Sequence, residues 1–173
     1  MRTIQVQKLD NDSFRKYGSY QDLFNNEEMD ARAITGTGRA EGGFYADLLW
    51  LDFARSGNNP TISMCHIKKK ERNIVSFLEY HQYTCEGLLP LDDDIIIFVG
   101  SPGRGEMSVD SLESFLVPKG TFVKLNPLVV HGTQFPVNNE EAHVICMLPG
   151  RTFRNDMIAK RTDNEEEMAE LVL

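Results

Sequence analysis

A chain of 173 residues with 41 % hydrophobic content can bury one substantial core, so a single domain over 1–173 is expected. Its formal charge of −8 and pI near 5.0 exclude bulk electrostatic binding to nucleic acid or to an anionic membrane surface, both of which need a basic face. Small molecules and further copies of the same chain are the expected partners.

The first sixty residues read as an irregular N-terminal arm. "RTIQVQK" alternates Ile4 and Val6 with polar residues and predicts an edge strand. Asp12 or Ser13 can then cap a short helix that Gly18 ends. "MRTIQVQKLDNDSF" has no apolar segment of signal-peptide length. Nor does any uncharged apolar run approach the roughly 18 residues of a spanning helix, so a cytoplasmic location is expected. The glycine-rich "ITGTGRAEGGF" (34–44) lacks the Lys-Ser/Thr of a phosphate-binding loop and the strand-to-helix setting of a dinucleotide fingerprint. It reads as a plain loop, and no nucleotide cofactor is expected.

Strand signals dominate residues 61–150, at 61–67, 73–81, 94–100, 111–117, 120–125 and 142–148, separated by turn material. Short strands at this spacing predict an all-β, antiparallel sandwich or barrel. "KKKER" (68–72) falls between two of them and reads as an exposed hairpin turn. The acidic "DDD" (92–94) reads as a solvated turn. Residues 151–173 read as a C-terminal tail, with Arg151 and Arg154 on the surface and "TDNEEEMAELVL" as an acidic, weakly helical, solvated end. Cys65, Cys85 and Cys146 are odd in number and have no CxxC spacing, so reduced, buried thiols are expected.

The segment "SFLEYHQYTCEGLLPLDDDIIIFVG" (76–100) sets Glu79, His81 and Glu86 into an apolar, strand-like run. Alternation places Val75, Phe77, Glu79 and His81 on one face and Ile74, Ser76, Leu78 and Tyr80 on the other. An inward carboxylate and imidazole demand a metal, a cation or a ligand as compensation. Glu86 has the wrong parity to join them on one straight strand and needs a bend, for which Gly87 is the candidate. His131 follows the apolar "LVV" and is a further candidate ligand at a strand end. His66, beside three lysines, reads as an exposed strand end, and His143 as a core or rim histidine.

The spacing Glu79-x-His81-x4-Glu86, followed by Pro118-x-Gly120 and His131, resembles the cupin superfamily. "SFRKYG", "LEYHQYTCEGLLP" and "FLVPKGTFVKLNPLVVHGTQF" are together similar to the ureidoglycolate lyase family. That resemblance implies a cupin-type double-stranded β-helix (a jelly-roll barrel), a homodimer, and release of urea from ureidoglycolate to give glyoxylate. It implies a divalent transition metal (Mn, Fe, Co, Ni or Zn) held by Glu79, His81, Glu86 and His131. Glu79 or Glu86 would act as base and His131 as acid. The family's Arg on the preceding strand stands here as His66, and its Trp-His-His as Val130-His131-Gly132. A cupin sugar isomerase or epimerase and a non-catalytic small-molecule binding barrel are the alternative readings.

Overall fold

The computed structural model describes residues 1–32, 45–53, 59–102 and 106–173. The glycine-rich stretch 34–44 lies outside the described residues. In chain order the elements are β1 (Arg2–Lys8), α1 (Asn11–Phe14), β2 (Gly18–Asp22), α2 (Asn26–Arg32), β3 (Pro60–Lys68), β4 (Asn73–Val75), β5 (Phe77–His81) and β6 (Glu86–Pro90). They continue with β7 (Ile95–Val99), β8 (Glu113–Val117), β9 (Thr121–Leu125), β10 (Phe135–Pro136), β11 (Glu141–Pro149), α3 (Thr152–Asn155), β12 (Met157–Arg161) and β13 (Ala169–Val172).

The strands form a six-stranded sheet in the order β10-β7-β8-β1-β13-β4, a five-stranded sheet β2-β9-β6-β11-β3, and the pair β12-β5. This all-β arrangement is a nearly closed, barrel-like set of sheets. The run "IIIFV" of β7 shows why one strand needs no polar face: all five residues are buried. Ile95, Ile97 and Val99 turn into a barrel core with Phe115, Val123 and Val144, while Ile96 and Phe98 turn into a second core with Val75, Leu78 and Tyr80. Buried on both sides, such a strand reads as continuous apolar sequence, not as an alternation.

Several sequence expectations change here. β1 is not an edge strand: it pairs in parallel with β8 through Val6–Lys8 and with β13 through Arg2–Gln5. The acidic tail is not a helical, solvated end, because Ala169–Val172 is a strand between β1 and β4, and only Glu165–Glu167 makes a short 3-10 turn. Its buried Ala169 and Leu171 explain this, since their burial alternates with the more exposed Glu170 and Val172. The cap of α1 is Asp10, whose carboxylate accepts from the backbone N–H groups of Asp12 and Ser13 at 2.9 and 3.1 Å. Gly18 opens β2, where a Cβ would fall 1.8 Å from the Lys124 carbonyl oxygen.

The 73–81 run is two strands. β4 pairs with β13 and β5 pairs with β12. These two partners are separated by the turn at 162–168, so one straight strand could not meet both. The Asp triplet at 92–94 is structural. Asp93 is buried and accepts from the backbone N–H groups of Val137, Asn138 and Asn139. Asp94 accepts from Lys119 N–H, and Asp92 from His143.

Candidate active site

β5 carries Glu79 and His81 two residues apart on one face, with Leu78 and Tyr80 turned into the second core. Val75 also belongs to that second core; the expected face shared by Val75, Phe77, Glu79 and His81 is therefore broken at Ser76. Glu86 arrives from another sheet. The chain turns through residues 82–85 and starts β6 at Glu86, so the bend precedes Gly87. The turn is held by Asp156, whose carboxylate accepts from the backbone N–H groups of Gln82 and Tyr83 at 2.9 and 3.0 Å.

His131 is positioned by backbone. The segment after β9 turns at Leu128, whose φ of 67° is in the left-handed region, a costly state for a non-glycine residue that surrounding structure must impose. Leu128 N–H donates to the His81 carbonyl at 2.7 Å. His131 and Glu79 then exchange two backbone hydrogen bonds of 2.8 Å, and Val130 and Gly100 do the same. Gly132 is required next: a Cβ there would lie 2.8 Å from both the Phe77 carbonyl oxygen and the Phe98 ring.

Three side chains thus converge. The buried Glu86 Oε2 lies 2.9 Å from His131 Nε2 and 3.3 Å from His81 Nε2, and one donor atom from each of the three residues falls within a 4.8 Å cluster. Glu79 Oε1 stands 4.0 Å from His131 Nε2 with its side chain 14 % exposed. His81 Nδ1 faces the Asp156 carbonyl at 3.2 Å, and His131 Nδ1 faces the Val129 carbonyl at 2.8 Å. A carbonyl oxygen only accepts, so both Nδ1 atoms carry the proton and a neutral ring presents its Nε2 lone pair to Glu86. Two lone pairs and a carboxylate oxygen aimed at one point call for a positive charge between them. A proton on His131 supplies one, while His81 Nε2, fully buried, still makes no hydrogen bond among the described residues. A divalent ion supplies the other solution, and this N,N,O set with backbone-oriented imidazoles suits a transition metal.

The electrostatics follow from this crowding. Burial by itself would raise Glu86, but the charge and hydrogen bond of His131, with His81, hold it well below the ordinary carboxylate value. Burial by itself would lower His131, and Glu86 with Glu79 outweighs it and raises the imidazole. Glu79 is pushed up by burial and by Glu86, against the opposing pull of His131 and His81. Cys146, inward on β11 with its thiol donating to the Val144 carbonyl at 3.9 Å, is pushed strongly upward by burial and by the Glu86 charge.

Asp156 and Cys146 are members of the site that sequence reading missed. Cys146 was findable, since its alternation with Val144 and Leu148 sets it inward. Nothing in the sequence marks Asp156. The thiols are free, with Cys85 and Cys146 buried and Cys65 half-buried. His66 and His143 stack on the barrel's outside at 4.7 Å, paired with Glu141 and Asp92. Arg151 and Arg154 are exposed on either side of Phe153, whose ring meets His81 at 6.1 Å.

No curated protein sequence matches this chain. Among solved structures it is similar to RmlC from Streptococcus suis in complex with dTDP-D-xylose, at 10 % identity and a TM-score of 0.38, over 83 % of this chain and 57 % of that one. The chain therefore spans just over half the length of that protein. It is also similar to a dTDP sugar isomerase from Desulfovibrio desulfuricans G20, at 19 % identity and a TM-score of 0.45, over 73 % of this chain and 79 % of that one. Over residues 1–171, nearly its whole length, the sequence matches the family described as ureidoglycolate lyase, and the chain belongs to that family.

Proposed function

We propose that this protein is a ureidoglycolate lyase-type enzyme that splits a small carbinolamide acid into urea and glyoxylate. The observation that carries the reading is the convergence of His81, Glu86 and His131 beside a half-buried Glu79 whose carboxyl is raised toward the protonated form. His81, Glu86 and His131 would hold a divalent transition ion, which would supply Lewis acidity toward substrate oxygen. Glu79 has the position and raised basicity of a general base. It takes the carbinol hydroxyl proton; the oxygen's electron pair forms the aldehyde C=O, the C–N bond breaks, and the departing urea nitrogen receives a proton. Glu79 can return the same proton, so the reaction balances without water. His131 would orient Glu86 and share its charge; a ring committed at both nitrogens is poorly placed as the acid.

The working unit in this reading is one domain over 1–173, active as a cytoplasmic homodimer. Among the described residues no helix is long and apolar enough to cross a membrane. Elemental analysis of the purified protein, with ureidoglycolate turnover of the parent and of Glu79→Gln, tests it. Near-stoichiometric metal with turnover that falls at least about 100-fold in Glu79→Gln at unchanged metal content is expected. Undiminished turnover in that variant removes Glu79 as base. A parent that retains metal but turns over only sugars replaces the lyase with an isomerase or epimerase.

A further inference from the structure

His81 is gripped by a residue 75 positions away. Its strand pairs with β12 at Met157, and the Asp156 carbonyl just before that strand accepts from His81 Nδ1 at 3.2 Å. The buried carboxylate of the same residue accepts from the backbone N–H groups of Gln82 and Tyr83 at 2.9 and 3.0 Å. Backbone and side chain of Asp156 therefore both hold the chain at His81. Asp156 is fixed in turn: its N–H donates to the Thr152 carbonyl at 2.9 Å, and Thr152 Oγ1 donates to the Pro149 carbonyl at 2.7 Å.

This clamp decides between the two neutral forms of the imidazole. With its proton on Nε2, the ring would donate to the Glu86 carboxylate 3.3 Å away, a charge-assisted bond about twice as strong as one to a neutral acceptor. That stronger bond is not the one made. Nε2 is buried and has no hydrogen-bond partner among the described residues, while Nδ1 bonds the carbonyl. Strand pairing alone does not explain this, because it fixes the backbone and leaves the imidazole a broad torsion about χ2. The held carbonyl does explain it: an Nε2–H ring would set its Nδ1 lone pair against the Asp156 oxygen, acceptor against acceptor.

We propose that Asp156 is a positioning residue of the candidate metal site: by holding its carbonyl against Nδ1 it keeps the His81 Nε2 lone pair open to an ion, where the ring would otherwise donate from that nitrogen to Glu86. This role rests on the reading that His81, Glu86 and His131 hold a divalent ion, and it adds a residue that touches neither ion nor substrate. The carboxylate acts through the backbone. Without it Gln82 and Tyr83 lose their acceptors, the turn into Glu86 loosens, and the carbonyl leaves Nδ1. Outer residues that orient a ligating imidazole change metal affinity by about 10–100-fold.

The ring nitrogens report this directly. The chain has 4 histidines, so nitrogen–proton correlation spectra of the imidazoles, recorded after dialysis against a chelator, resolve each ring, and His81→Gln assigns its signal. The parent is expected to show His81 as the Nδ1–H tautomer. Asp156→Ala is expected to move it to Nε2–H and to weaken Zn²⁺ binding at least about tenfold in competition with a chromophoric chelator. Asp156→Asn keeps one acceptor oxygen for the turn but sets an amide N–H against the second backbone donor, and should fall between the two in both readouts. A residue that only supports the fold would lower the melting temperature without exchanging the tautomer. A parent in the Nε2–H form, or an alanine variant with the parental tautomer or parental Zn²⁺ affinity, overturns the proposal. Should Asp156→Ala fail to fold, Asp156→Asn stands in for it, and parental values in both readouts overturn the proposal. A parent that binds no Zn²⁺ removes the ion and the proposal with it, whereas a Zn²⁺-binding parent inactive on ureidoglycolate removes the lyase and leaves the role of Asp156 standing.

Discussion

Cys146 shows how one atom can matter beside a charged cluster. Its thiol stays protonated because burial and the Glu86 carboxylate charge both disfavour the thiolate. Two roles are open to such a side chain, a buried apolar filler or a donor that orients Glu86, and substitution separates them. Cys146→Ser keeps the donor and loses apolar character, while Cys146→Val does the reverse. If the thiol orients Glu86, the serine variant retains parental metal affinity and the valine variant loses about tenfold, as measured by competition with a chromophoric chelator. The opposite order would make Cys146 a packing residue. At this scale the sequence was informative about residue type: Glu79, His81, Glu86 and His131 stood out because charged and imidazole groups in apolar strands need partners. It was silent about Asp156, whose carbonyl faces His81 Nδ1 and whose carboxylate holds the turn at Gln82 and Tyr83, contacts that no spacing encodes.

Among the elements, the turn that starts at Asp92 shows how a carboxylate can hold a loop. Asp93 accepts from three backbone N–H groups of the β10–β11 connection and from the Asn138 side chain. Burial by itself would raise its carboxyl, but these donors outweigh it and hold it below the usual value. A carboxyl lowered on folding stabilises above its unfolded value, and that contribution is lost as pH falls through the folded one. Thermal melts of the parent from pH 6 to pH 2 should therefore show an acid-induced loss of stability that is shallower in Asp93→Asn. At neutral pH that variant should be destabilised by about 1–3 kcal/mol. Equal slopes in the two proteins would show that Asp93 contributes nothing to the acid limb. A run of three aspartates before a strand gives no hint of this, because the donors lie more than forty positions away.

On the scale of the whole molecule, the two chain ends close the barrel together. β1 is flanked in parallel by β8 and β13, and β13 also pairs with β4, so the last strand lies inside the six-stranded sheet. Ala169 and Leu171 are buried in the second core with Leu78 and Tyr80, next to β5 and hence to Glu79 and His81. Truncation after Asp163 is expected to leave an open edge and an exposed apolar face, to lower the melting temperature by more than 10 °C, and to cost metal binding as β5 loosens. Normal melting of the truncated chain would show that β13 is dispensable. The sequence by itself determined the all-β class, most of the barrel strands, the P-x-G turn and the polar residues in apolar strands of which His81, Glu86 and His131 converge, since these follow from local alternation, turn chemistry and the need to compensate buried charge. Only the tertiary structure decided that 73–81 is two strands, that Glu86 reaches the site from a second sheet, and that the acidic tail is an interior strand. Each of these depends on pairing between segments far apart in sequence, where a strand's partner is set by neighbours that the local pattern does not contain.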